Sequence, residues 1–184
     1  MAIMDVLTYG DEFLRRTVKP VQGASPQVRR LAADMGETMY HLEGLGLAGP
    51  QVGLDMRLIV LDVDQVDEKN HTWRPNRRHL QVFLNPEILE ESEEDGPYNE
   101  GCLSIPGVQA EVFRPLRVTV RYRDLEFRER TIEADGLLAR VLQHEIDHLN
   151  GVLFIDRISR AARLKLAGKL NRIKKQTLEK LAAR

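Results

Sequence analysis

The sequence of 184 residues contains one cysteine, Cys102. No internal disulfide can form, which excludes the small secreted scaffolds held by cysteine bridges and points to a reducing compartment. Long hydrophobic runs are also missing. No apolar run exceeds the four residues of Leu58 to Leu61, far too few to cross a bilayer, so no membrane partner is expected. The opening stretch MAIMDVLTYGDE carries Asp5 and Asp11 and has no apolar core of the signal-peptide kind, and the expected location is cytoplasmic. Internal repeats, low-complexity tracts and interdomain linkers are absent as well. With 42% apolar residues, a chain of this length is read as one domain.

What the chain does have is a strong charge asymmetry. The net charge is −1, yet Arg157 to Arg184 holds ten Lys or Arg against one acid, Glu179, so the rest of the chain carries −10. The expected organisation is an acidic catalytic body over 1–158 and a basic C-terminal helix over 159–184 of the same domain. A solvated basic face is the plain reading of that helix, and an interaction arm is the functional one. Nothing points to DNA.

The periodicities predict a helix, then strands, then helices. Ser25-Pro26 forms an N-cap and first turn, and Val28, Leu31, Ala32, Met35, Met39 and Leu42 follow at helical spacing until Gly44. Strands are read at 56–63, 80–89, 115–124 and 126–136, with a polar loop over 64–79. A helix from about Leu137 ends at Asn150-Gly151, and another occupies about Ser159 to Ala182. The fold class is α+β, with antiparallel or mixed sheets packed around a central helix and a C-terminal helix outside.

That central helix carries His144-Glu145-Ile146-Asp147-His148. The H-E-x-x-H spacing sets two imidazoles within roughly 40° of each other on one helix face, as a pair of metal ligands with a glutamate between them as base. Two histidines on a half-buried helix are the bland alternative. A hydrolytic site needs a third protein ligand and an open position. The downstream pattern that supplies a third histidine has Phe154 in its place. No convincing acid follows Gly151, so the ligand is sought upstream, among His41, His71, His79, Cys102 and scattered acids. Spacing alone does not choose between them.

Three segments, GLGLAGPQVG (44–53), EGCLS (100–104) and QHEIDHLNG (143–151), together resemble the three signature motifs of the bacterial-type peptide deformylases, in order and separation. The opening VLTYGDEFLRRTVKPV is similar to that family's N-terminal segment. The resemblance implies Cys102 as third ligand with His144 and His148, Glu145 as general acid/base, and the Gln51 side chain and Leu103 backbone N–H as donors to an oxyanion. It implies substrate contacts at Leu45, Gly46, Gly101, Leu137 and Val141, with Leu45, Leu137 and Val141 lining a pocket for a methionine side chain. One divalent metal is expected. Ligand softness favours zinc, whereas the resemblance implies iron(II), replaceable by nickel, cobalt or zinc.

The implied activity is removal of the N-formyl group from the N-terminal methionine of nascent proteins, with release of formate and with the ribosome as a partner of the basic helix. Two rivals are a general metallopeptidase and a ribosome- or RNA-binding protein with a structural metal. Departures from the family pattern are Gly49-Pro50 in the first motif and Arg140, one helical turn before His144, which weakens the expectation of a strict methionine preference. Asp147 is read either as orienting a ligand imidazole or as a surface salt bridge.

Overall fold

The structure is a computed structural model and describes residues 2–67, 72–73 and 78–183. Helix α1 (Pro26–His41) starts where the sequence predicts: the Ser25 hydroxyl accepts from the Val28 N–H at 3.3 Å, and Pro26 fills the first turn. Five antiparallel strands follow in one sheet, β1 (Gly46–Ala48), β2 (Leu58–Leu61), β5 (Gln81–Glu91), β8 (Val118–Arg123) and β9 (Glu129–Ala134), in the order β1-β2-β5-β8-β9. Two hairpins lie outside that sheet, a short one of β3 (Val66–Asp67) with β4 (Thr72–Trp73) and a longer one of β6 (Asp95–Gly101) with β7 (Gln109–Pro115).

Strand β2 is apolar at every position because both of its faces are covered. Leu58 and Val60 pack with Val28, Ala32, Met35 and Met39 of α1, whereas Ile59 and Leu61 pack on the helix across the sheet. Successive side chains of a strand point to opposite faces, so a continuous apolar run marks a strand sandwiched between two layers. The second layer is α2 (Gly136–Leu149), which applies Leu142, Ile146 and Leu149 to the sheet.

The other side of α2 is polar and equally buried, and it faces the β6–β7 hairpin. Gln143 Nε2 donates to the Pro115 carbonyl at 2.9 Å, and Arg140, His144 and Asp147 meet hairpin residues described below. The helix is thus central, as expected. It ends at Asn150, after which Gly151 takes φ of +72°; a Cβ there would lie 2.4 Å from the Arg15 carbonyl oxygen, so only glycine fits.

Helix α3 (Arg160–Ala182) is capped by Ser159 and buries Leu170 in a third cluster with Ile105, Val112, Phe154 and Ile155. Ile158, Leu166 and Ile173 form an apolar stripe that packs against the same cluster, and the Thr177 hydroxyl lies 2.6 Å from that of Thr8. Leu181 is exposed, so the stripe stops short of the helix end.

Two readings are corrected. The stretch 64–79 is not wholly loop, since β3 and β4 pair within it. The sequence reading also left 90–114 without strands, whereas β6 and β7 form a seven-pair hairpin there. Its inward positions are Gly96, Glu100, Val112 and Arg114. A hairpin whose buried side chains include a glutamate and an arginine has no hydrophobic alternation to read.

Candidate active site and metal centre

Cys102 follows the last residue of β6, in a turn closed by the Ile105 N–H donating to the Cys102 carbonyl at 2.9 Å. That turn brings the thiol to the polar face of α2, 3.3 Å from His148 Nε2, and His148 Nε2 lies 3.2 Å from His144 Nε2. Three ligand atoms therefore converge on one point. Tetrahedral coordination with metal–sulfur and metal–nitrogen bonds of about 2.3 and 2.05 Å spaces sulfur and nitrogen about 3.6 Å apart and two nitrogens about 3.3 Å apart. The residues fit a metal, and one thiolate with two imidazoles suits a late divalent ion. His148 Nδ1 is buried without a hydrogen-bond partner among the described residues.

Glu145 lies on the same helix with its carboxylate turned toward β1. A Cβ on Gly46 would sit 2.5 Å from Glu145 Oε1, so the glycine makes room for the acid. Burial pushes the Glu145 carboxyl up to about 7, against the pull of His144, and its Oε2 has no hydrogen-bond partner among the described residues. A carboxyl so placed can take and return a proton near neutrality.

Gln51 is fixed at both ends. Its Oε1 accepts from the Ala48 N–H at 2.8 Å, and its Nε2 donates to Ser104 Oγ at 3.2 Å and toward Cys102 Sγ at 3.5 Å. The amide donor thus stands beside the ligand cluster. Leu45, Gly46, Gln51, Gly101, Cys102 and Leu103 line one cleft of about 810 Å³, and Leu137, Val141, His144 and Glu145 of α2 form its wall. Strand β1 is the end strand of the main sheet and borders this cleft. The cleft therefore offers an apolar wall, a strand edge, a poised carboxylate and a soft ligand set.

A family model described as polypeptide deformylase matches residues 3–164. The chain belongs to the polypeptide deformylase family. A protein from Rhizobium meliloti named peptide deformylase is 49% identical over 163 residues, covering 89% of each chain. One of the same name from Cytophaga hutchinsonii is 44% identical over 173 residues, covering 94% of this chain and 91% of that one. The crystal structure of a peptide deformylase from Legionella pneumophila superposes with a TM-score of 0.82 at 38% identity, covering 100% and 99% of the two chains. That of a peptide deformylase from Synechococcus elongatus in complex with actinonin gives 0.81 at 40% identity, covering 92% and 85%.

Of the other upstream histidines, His41 ends α1 and is exposed, and His79 pairs with Asp64 at 3.1 Å on the surface. His71 lies outside the described residues.

Sequence reasoning missed Glu100 and Arg114. Glu100 Oε2 is 2.9 Å from His144 Nδ1, and its carboxylate receives Arg114 Nε at 2.7 Å and Nη2 at 3.0 Å. Burial raises the Glu100 carboxyl, but the bonds from His144 and Arg114 outweigh it and hold the group down at about 2. A permanent carboxylate there fixes the His144 ring with Nε2 aimed at the ligand cluster. Asp147 is buried and binds Arg114 at 2.7 Å as well as Arg157, so it acts on the arginine and not at the surface. Arg140 borders the cleft, but its guanidinium is bonded to the hairpin. A glutamate two residues before a cysteine was the available signal, and it lay inside a motif already singled out.

Proposed function

We propose that this chain is a metal-dependent hydrolase that removes the N-formyl group from the N-terminal methionine of nascent peptides and releases formate. The observation that carries the proposal is the convergence of Cys102, His144 and His148 beside the buried Glu145, whose Oε2 has no hydrogen-bond partner among the described residues, in a cleft bordered by β1.

Cys102, His144 and His148 would hold the metal, which when bound would supply Lewis acidity toward a carbonyl and acidify water. Iron(II) is the ion assigned, with zinc, nickel or cobalt able to replace it. Glu145 takes a proton from the attacking water as the water oxygen bonds to the formyl carbon. Gln51 Nε2 and the Leu103 N–H donate to the oxygen on which charge develops, a role in which one donor typically matters by about 10²–10³ in rate. Glu145 then passes its proton to the amide nitrogen as the carbon–nitrogen bond breaks, and formate and a free amine leave. Leu45, Leu137 and Val141 receive the methionine side chain, and the backbone at Gly46 and Gly101 aligns the peptide as an added strand.

The cytoplasm is the compartment proposed, in keeping with a single cysteine and no disulfide. The body (1–158) and the basic helix (159–184) act as one domain, and the exposed cations of α3 serve as a contact for ribosomal RNA phosphate. A formyl-methionyl peptide assayed beside its acetyl analogue tests the activity. Formate from the first and no cleavage of the second is expected; cleavage of internal peptide bonds in both would make the chain a general metallopeptidase.

A further inference from the structure

The three ligands sit on two separate pieces of chain. Cys102 belongs to the turn of the β6–β7 hairpin, and His144 and His148 to α2. Their convergence depends on how firmly the hairpin is held to the helix, and two buried arginines cross that seam in opposite directions. Arg114 reaches from β7 to Asp147 on α2 at 2.7 Å. Arg140 reaches from α2 into the hairpin, where Nη2 donates to the Gly96 carbonyl at 2.7 Å and Nη1 to the Val112 carbonyl at 3.1 Å. One arm therefore holds β6 and the other β7.

The Arg140 fork also meets Glu100. Its Nη1 donates to Glu100 Oε1 at 3.1 Å, the oxygen that also receives Arg114 Nε. With Oε1 held from both sides, Oε2 receives Arg114 Nη2 at 3.0 Å and lies 2.9 Å from His144 Nδ1. Arg140 is 7% exposed, and its guanidinium carbon lies 5.6 Å from the Tyr98 ring centroid. A planar fork that donates to three acceptors at once is a geometry that lysine cannot copy.

We propose that Arg140 is a positioning residue for the metal centre: it fastens the hairpin bearing Cys102 to the helix bearing His144 and His148, and so sets how long the metal is retained. The proposal rests on the reading of those three residues as ligands. Groups that orient metal ligands typically matter by about 10–100-fold in metal affinity.

The test uses the full chain loaded with one equivalent of cobalt(II), whose thiolate absorption band reports Cys102 and whose release to excess chelator gives a rate. Three variants are compared, Arg140→Leu, Arg140→Lys and, as a control for general destabilisation, Phe83→Leu in the sheet core, each with its thermal midpoint. Arg140→Leu is expected to weaken the thiolate band and release cobalt about 10–100-fold faster, in line with other residues that orient metal ligands. Arg140→Lys should fall between, and it decides the matter if the leucine variant fails to fold. Phe83→Leu should lower the midpoint while leaving band and release rate as in the parent. Parental release from both Arg140 variants, or equal acceleration by Phe83→Leu, overturns the proposal. A parent chain that takes up cobalt without a thiolate band overturns the ligand reading itself, and the proposal with it.

Discussion

The proton-transfer role proposed for Glu145 depends on what surrounds it. Burial lifts its carboxyl to about 7, and the missing side chain of Gly46 leaves space beside Oε1 for the acid. Glu145→Gln keeps shape and volume while removing the proton acceptor. It should retain the metal and lose about 10²–10⁴ in turnover, the usual contribution of a positioned base. Formate release within tenfold of the parent, at equal metal content, would assign the proton transfer to another group. Cys102 shows the limit of spacing arguments at this scale: a lone cysteine is usually a small buried apolar side chain, and only the turn after β6 aims it at His148.

At the scale of elements, β1 has to bring Gly46 close to α2 while pairing only with β2. Gly46→Ala places a methyl 2.5 Å from Glu145 Oε1 and must displace the carboxylate. Displacement of a reacting group by about 1 Å can cost about 10²-fold, so turnover should fall by that order while metal content stays at the parental level. Parental turnover in Gly46→Ala would mean that the base tolerates the shift. Elements with a chemical start or stop were legible in the sequence: α1 through Ser25-Pro26, α2 through Gly151, and β8 through alternation of Val118 and Val120. The β6–β7 hairpin was not, because two of its four inward positions are Glu100 and Arg114, which satisfy each other and break any hydrophobic alternation. Of the candidate site, His144, Glu145 and His148 were therefore readable from helix spacing, whereas Gln51, Gly46 and the apolar wall came from resemblance alone. The part on the hairpin also became readable only through resemblance, since ionic burial leaves no periodic trace.

Across the whole molecule, α3 is both a packed element and a charged surface. Leu170 seals the cluster around Ile105 and Phe154, so shortening the chain would expose core as well as remove charge. Reversing the exposed cations Lys165, Arg172 and Lys180 to glutamate separates the two roles. Co-sedimentation with ribosomes should weaken, higher salt should weaken parental binding in the same way, and formate release from a short peptide should stay unchanged. Salt-independent binding that survives the reversals would leave α3 a purely structural element. The most direct test of the central claim is formate release from a formyl-methionyl peptide as a function of metal per chain. Activity should rise in proportion to iron(II) up to one equivalent, vanish when a chelator empties the site, and return with iron(II), nickel(II) or cobalt(II). Formate release that persists in chelated, metal-free protein, or is absent at one equivalent of metal, would contradict the account.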